Sequence, residues 1–575
     1  MSFITDSITL FFTSDLITYC MSSIWIISLA LIFCYFFNKK IKDTLVLSFI
    51  VSFVLLFFGG IIGNIYLFYI IGWIIIILFY GFVIYKKKLF DLIKGIDLFT
   101  ILIYLLFSLI IFIYYQKAGF RFTDEYMHWG PMVKELFRTN QFYCSDESML
   151  LVHKDYPPFF SLIELLFCFF GRGYVEKYLY IGLLSFVLAI IISISFNNKN
   201  KVLSFIGLLL LGFIFQYIPS IQDSTSIYNS IYIDYAMSLL FVFVINYLIR
   251  VEQFDNFDNK LLALCFTALL LSKQIGILYF ALCILYMLVF TKHKKIKMLI
   301  SIFMPIIFFG IWKMIVINNG IVGQFSINNV SLRTESNDIL RVFIKALINR
   351  PLFIKPFFIC SLLIFAIVLV SLFFADKRVF IIYSVGLVSY LFTICLLYMF
   401  VFSVEEAMVL SSFERYIISY VYIGISLLVI CVCDLNRIID YLILYVAILF
   451  ICDFKNSNIN NILDKKRILV INQQGAKTEF NFNQTTGSIY SFDFSDYLYE
   501  GDADKFLKDA NKYDYVYVYL YDDNFYRIWV DMTNDKSLEN DSLFYIQNRN
   551  PLTFENSNFN MIYYVIKYCI NEIDE

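Results

Sequence analysis

"IYLFYIIGWIIIILFYGFVIYKKK", residues 65–88, runs through twenty-one residues without a charge and then places three lysines in succession. A helix of that length spans a hydrocarbon core of ~30 Å. Lipid gives the backbone no hydrogen-bond partners, so a spanning segment must be a helix or part of a closed barrel. An unbroken apolar run, with no alternation, selects the helix. The lysines that follow mark the side of the membrane on which the helix ends, because cytoplasmic loops collect Lys and Arg.

The pattern recurs along the chain. Spans are expected at 16–37, 44–60, 65–85, 97–115, 178–196, 202–218, 233–249, 260–272, 275–290, 298–316, 356–375, 379–402, 417–433 and 438–452. Of the 575 residues 60% are apolar and 16% charged, against roughly 45–50% and about 25% in soluble domains. The expected fold class is therefore a polytopic α-helical membrane protein of about 13–14 transmembrane helices. The first span reads as an anchor and not as a cleavable signal. Net charge is −1, which gives no electrostatic case for nucleic acid. The 12 cysteines are scattered, mostly in apolar runs, and their spacing suits neither a disulfide framework nor a zinc site.

Charge orients the spans. Lys39, Lys40 and Lys42 follow the first, and Lys86, Lys87, Lys88 and Lys94 the third. Lys199 and Lys201, Arg250 and Lys260, then Lys292, Lys294, Lys295 and Lys297 mark later connections on the same side, with Lys377, Arg378 and Arg437 completing it. The opposite connections 61–64 and 219–232 hold no basic residue, and 403–416 holds Arg415 alone. This places both termini outside, provided that the apolar stretch 159–170 does not cross. At about 12 residues it is too short for a span and reads as a re-entrant or interfacial helix.

Composition turns polar after residue 452. "KKRILVINQ" (465–473) and "YDYVYVYL" (513–520) read as strands, with "DADKFLKDANK" (502–512) an amphipathic helix between them. Three regions result: N-terminal helices over 1–96, a membrane core over 97–452 with a first large outer loop at 116–158, and a small α/β domain outside the membrane over 453–575.

The rare titratable groups gather in that outer loop. "FRFTDEYMHWG" (120–130) carries Asp124, Glu125, His128 and Trp129, and "VHKDYPPFF" (152–160) carries His153, Lys154, Asp155 and Tyr156 before two prolines. Two of the three histidines in the chain lie here; His293, within "TKHKKIK", belongs to a basic cytoplasmic face. Thr123 is placed to cap a short helix, with Asp124 and Glu125 suited to its positive end. Asp124 and His128 stand four apart, on one helical face, an arrangement that suits general-base work or metal ligation. Lys273, in "LLLSKQIGILYF" (269–280), interrupts two apolar runs, and an ionisable residue in such a place is a functional candidate by default.

These motifs resemble those of the GT-C glycosyltransferases, which include the protein mannosyltransferases and the lipid A aminoarabinose transferase. The resemblance rests on the acidic pair in the first large outer loop, the Tyr156-Pro157-Pro158 turn, the lysine break at 269–280, and an Arg-Tyr pair in "SSFERYIISY" (411–420). It covers approximately 97–420. It implies transfer of a sugar from a polyprenyl-phosphate-linked donor to a glycan, lipid or protein acceptor at the extracytoplasmic face of a bacterial plasma membrane, in the building of cell-surface polysaccharide or envelope. Asp124 would be the base, Glu125 the second acid, and Lys273 and Arg415 would bind the donor phosphate. His128, Trp129, His153, Lys154, Tyr156 and Tyr416 would line the donor and acceptor. Some members use a divalent metal, Mg or Mn, and others none; here Asp124, Glu125 and Asp234 would hold it. The chain departs from the pattern in one respect, because its acidic loop follows a fourth span and not the first. The second acidic motif has two candidates, Asp223 and Asp234. Two other classes share parts of this layout: O-antigen-type polysaccharide polymerases or ligases, and transporters or flippases of lipid-linked sugars. The former lean on outer-face arginines, and the latter expect inverted repeats with polar groups near midplane.

Overall fold

The computed structural model describes residues 8–87, 97–196 (without 121, 123, 146, 147, 149 and 151), 204–212 (without 210), 230–251, 255–290, 295–323, 333–349, 361–434, 466–473, 490–494, 503–533, 536–549 and 552–557. The expected span 438–452, most of 202–218, Thr123 and Asp223 lie outside these residues.

The first four helices are α1 (Leu16–Phe37), α2 (Ile41–Ile62), α3 (Ile65–Tyr85) and α4 (Leu98–Tyr114). Asn38 ends α1 in the left-handed conformation, and Asn64 caps α3 by accepting from the Leu67 amide. The outer loop then forms a five-residue π-helical turn, Glu125–Trp129, that runs into α5 (Gly130–Thr139). Pro131 has no amide proton to give, so the α ladder cannot pass through it unbroken.

Next come α6 (Phe159–Phe170), α7 (Glu176–Ser195), α8 (Asp234–Arg250), α9 (Asn256–Leu270), α10 (Gly276–Phe290), α11 (Lys295–Asn318), α12 (Ser336–Asn349), α13 (Ser361–Ala375), α14 (Lys377–Phe400), α15 (Val404–Val409) and α16 (Phe413–Asp434). Eight helical segments among the described residues are long and apolar enough to cross a membrane: those containing α1, α2, α3, α4, α7, α11, α14 and α16. Helices also stand at the expected spans 233–249, 260–272 and 275–290, but α8, α9 and α10 have only 17, 15 and 15 residues.

The stretch 159–170 is a helix of 12 residues, each of them buried. At ~1.5 Å per residue it is about 18 Å long, well short of the hydrocarbon core. Phe159 stacks edge-on to Phe53 of α2 and Phe186 of α7, and Phe170 to Trp25 of α1. The Phe159 amide donates to the Leu271 carbonyl at 2.9 Å, which ties α6 to the break after α9. It is thus an interior helix, and helices α2, α7 and α8 pack around the same centre. Helices α3, α4, α11 and α14 present many exposed Ile, Leu, Val and Phe side chains on their outer sides, as lipid-facing helices do.

The tail contains a five-stranded sheet in the order β2-β1-β3-β4-β5. Strands β1 (Lys466–Asn472), β2 (Tyr490–Phe494) and β3 (Tyr515–Leu520) are parallel; β4 (Ser542–Arg549) and β5 (Leu552–Asn556) continue it antiparallel. Helices α17 (Ala503–Ala510) and α18 (Asp523–Thr533) give Phe506, Phe525 and Trp529 to a core of their own with Leu469, Ile471, Val516 and Val518. The expected strands and helix in 465–520 match β1, α17 and β3.

Candidate active site

Four charged residues from four separate segments meet beside the outer loop. Asp124 stands at the start of the π-helical turn. Asp234 is the first residue of α8, where the helix dipole favours an anion. Lys273 lies in the Ser272-Lys273-Gln274 break between α9 and α10. Gly276 is required after it, because a Cβ there would stand 2.0 Å from the Leu269 carbonyl oxygen. Arg415 occupies the first turn of α16.

Arg415 Nη1 donates to Asp124 Oδ2 at 2.5 Å, and Lys273 Nζ to Asp234 Oδ1 at 2.9 Å. Arg415 Nε and Asp234 Oδ2 stand 3.6 Å apart, joining the two pairs into one network. Both atoms are buried without a hydrogen-bond partner among the described residues. Unmet polar groups of this kind are costly and tend to be met by a ligand or water. Asp124 keeps 27% of its side chain open to solvent. Burial alone would raise its pKa, but Arg415, His128 and Lys273 together hold it well below the usual carboxylate range.

Aromatic rings surround the cations. Lys273 Nζ lies 5.8 Å from the Trp129 ring and 5.7 Å from that of Tyr416; Arg415 lies over Tyr232 at 4.7 Å and Tyr416 at 5.4 Å. Beyond Trp129 the rings of His128 and His153 meet at 4.6 Å, and His153 stacks on Tyr156 at 4.4 Å. His153 takes a left-handed backbone, φ 58°, which is uncommon outside glycine. Burial pushes His128 down to about 3 and His153 down to about 4, with Asp124 partly restoring each. Both rings are therefore neutral at pH 7 and offer one donor and one acceptor apiece.

Two of the expected site residues are engaged elsewhere. Glu125 is fully buried and accepts from the Phe122 amide at 3.0 Å, the Ile231 amide at 2.7 Å and the Tyr180 hydroxyl at 3.0 Å. It clamps the outer loop to α7 and to the chain entering α8. Lys154 donates to the Ser148 carbonyl oxygen at 3.1 Å, within its own loop.

The break at 272–274 also borders a cavity of about 830 Å³. Apolar side chains of α11 and α14, among them Phe309, Val316, Ile394 and Leu397, form its walls; Asp155, Asp234, Lys273, Gln274, Lys313 and Tyr416 supply its polar edge. Asp155 accepts from Gln274 Nε2 at 3.4 Å, and its carbonyl accepts from Trp312 Nε1 at 3.2 Å. Burial raises the Asp155 carboxyl, and Lys313 acts against that rise. The sequence drew attention to Asp155 without assigning it a part. Gln274 belongs to the polar break that the sequence marks out; Tyr232 and Lys313 were missed, although Lys313 in "GIWKMIVIN" is a lone charge inside an apolar run.

The arrangement can hold an anion, orient a hydroxyl next to a carboxylate, and shelter an apolar chain. A divalent ion would have to displace the groups that already face the carboxylates expected to hold it. Asp124 and Asp234 each already face a cation, Glu125 is turned to amides, and no group of three or more His, Cys, Asp or Glu among the described residues could hold a metal. Compared with family models, curated proteins and solved structures, the chain matches none of them.

Proposed function

We propose that this protein is a membrane glycosyltransferase. It moves a sugar from a polyprenyl-phosphate-linked donor to an acceptor on the extracytoplasmic face, with Asp124 as general base and inversion at the anomeric carbon. The single observation that carries the reading is the network Asp124–Arg415–Asp234–Lys273 at the edge of an apolar-walled cavity. Charge placement supports the topology in which both termini, the site and the C-terminal α/β domain lie outside and 13–14 helices cross. The motif resemblance to the GT-C enzymes supports the reaction class and a role in the bacterial cell envelope.

In the reaction the acceptor hydroxyl gives its proton to Asp124. Its oxygen bonds to the anomeric carbon, while the bond from that carbon to the phosphate oxygen breaks and the lipid phosphate leaves. A base opposite the leaving group makes this a single displacement. Arg415 offers a fork to phosphate oxygens and Lys273 a point charge. While Arg415 holds Asp124, the carboxylate is a weak base. A donor phosphate that draws Arg415 away restores its basicity, so the base is strengthened only when the donor is in place.

Asp124→Asn tests the reading. In membranes carrying labelled lipid-linked sugar, transfer to the acceptor fraction should fall by about 100-fold or more, while the variant still purifies as a folded protein. Full transfer by the variant would remove Asp124 from the role of base. Lipid-linked sugar that crosses the membrane in wild type without ever being transferred would favour a flippase.

A further inference from the structure

Three cations line or adjoin the cavity, and two of them are already neutralised. Arg415 has Asp124 at 2.5 Å and Lys273 has Asp234 at 2.9 Å. Lys313 makes no ion pair among the described residues; its Nζ rests 5.6 Å from the Phe309 ring. It lies on the face of α11 that carries Phe309, Val316 and Ile317, all of which border the same cavity. A lysine in an apolar helix stands at a cost unless something offsets its charge. A snorkelling lysine would leave its charge at the membrane surface, whereas Lys313 is half-buried and borders the cavity. Its neighbours there are Asp155, held by Gln274, and Trp312, held by the Asp155 carbonyl.

We propose that Lys313 is an anion-binding residue for the phosphate of a lipid carrier, whose hydrocarbon chain lies along the apolar walls between α11 and α14. This deepens the glycosyltransferase reading by giving the donor its point of entry, and rests on that reading only for the identity of the lipid. A phosphate seated at Lys313 meets a cavity cation that makes no ion pair among the described residues and has Asp155, already engaged by Gln274, as its nearby carboxyl. From there Gln274 and Lys273, adjacent in the break, lead towards Arg415. The apolar walls select a phosphate that carries a chain over a free ion, since burying each methylene out of water is favourable.

The test uses the full-length protein in phosphatidylcholine nanodiscs, with undecaprenyl phosphate as probe and tryptophan fluorescence, to which Trp312 contributes, as readout. Lys313→Met should weaken binding by about tenfold or more, as loss of a charge-assisted hydrogen bond does, and Lys313→Arg should keep it within about threefold. Wild type should prefer undecaprenyl phosphate to undecaprenol by about tenfold, a comparison that stands if the variants fail to fold. Millimolar inorganic phosphate should not compete. Unchanged binding by Lys313→Met, equal binding of undecaprenol, or displacement by inorganic phosphate would each overturn the proposal. A wild type that binds the lipid through Lys313 yet transfers no sugar would overturn the transferase reading and leave the Lys313 site standing.

Discussion

His128 and His153 meet ring to ring beside a carboxylate, and their common burial ties stability to pH. An unfolded chain protonates both imidazoles near pH ~6.5. The folded chain does so only far lower, because burial pushes them down to about 3 and about 4. Between about pH 6.5 and 4 the unfolded state binds more protons, so stability falls as the solution is acidified, by up to ~1.4 kcal/mol per pH unit for each ring. The expected outcome is a thermal midpoint in detergent that drops from pH 7 to pH 5, and a shallower drop for His128→Gln combined with His153→Gln. Equal slopes for the two proteins would show that other groups carry the pH dependence. Over pH 7 to 8 neither ring changes charge, and neither contributes to a pH profile there.

At the scale of elements, the outer loop is fastened to the bundle by packing as well as by Glu125. Phe142, just after α5 in that loop, covers Gly60 of α2, where an added Cβ would stand 2.3 Å from its ring. The same ring meets Phe57 at 5.3 Å and Trp312 at 5.2 Å. Gly60→Ala should therefore displace the loop and cost about 1–3 kcal/mol through overpacking, read as a lowered thermal midpoint, with Phe142→Leu in the same chain restoring part of it. No change in the single variant would mean that the Phe142 ring yields freely.

The same elements show how far the sequence can be read. Helices α1 and α3 begin and end where their apolar runs do, because membrane thickness sets their length and lysines or asparagines end them. Asp124, Lys273 and Arg415 stood out as charges next to greasy runs, and the fold brings them together with Asp234. Glu125 reads as a second acid beside Asp124, because only the positions of the Phe122 and Ile231 amides decide which of two adjacent carboxylates turns inward. In the tail, β1 and β3 announce themselves by Val, Ile and Tyr. Strand β4, "SLFYIQNR", mixes polar and apolar residues, and becomes a strand only by pairing with β3 and β5.

For the whole molecule, the lysine-rich connections divide the chain into two sides, and labelling checks that division. A cysteine placed at Lys87 should react with a membrane-impermeant maleimide only after cells are opened, and one at Glu405 should react in intact cells, each scored against the unsubstituted chain. The reverse pattern would turn the topology over and place Asp124 inside. Helix α6 bears on how such a chain is built. An 18 Å segment is a poor substrate for the insertion machinery, and its full complement of contacts includes α7 and the carbonyl of Leu271. Only the hydrogen bond to Leu271 has to wait until about a hundred further residues have been synthesised. The helix can therefore pack early against Trp25, Phe53 and Phe186, while its tie to Leu271, and with it the join between the outer loop and the lysine break, closes only once α9 is in place.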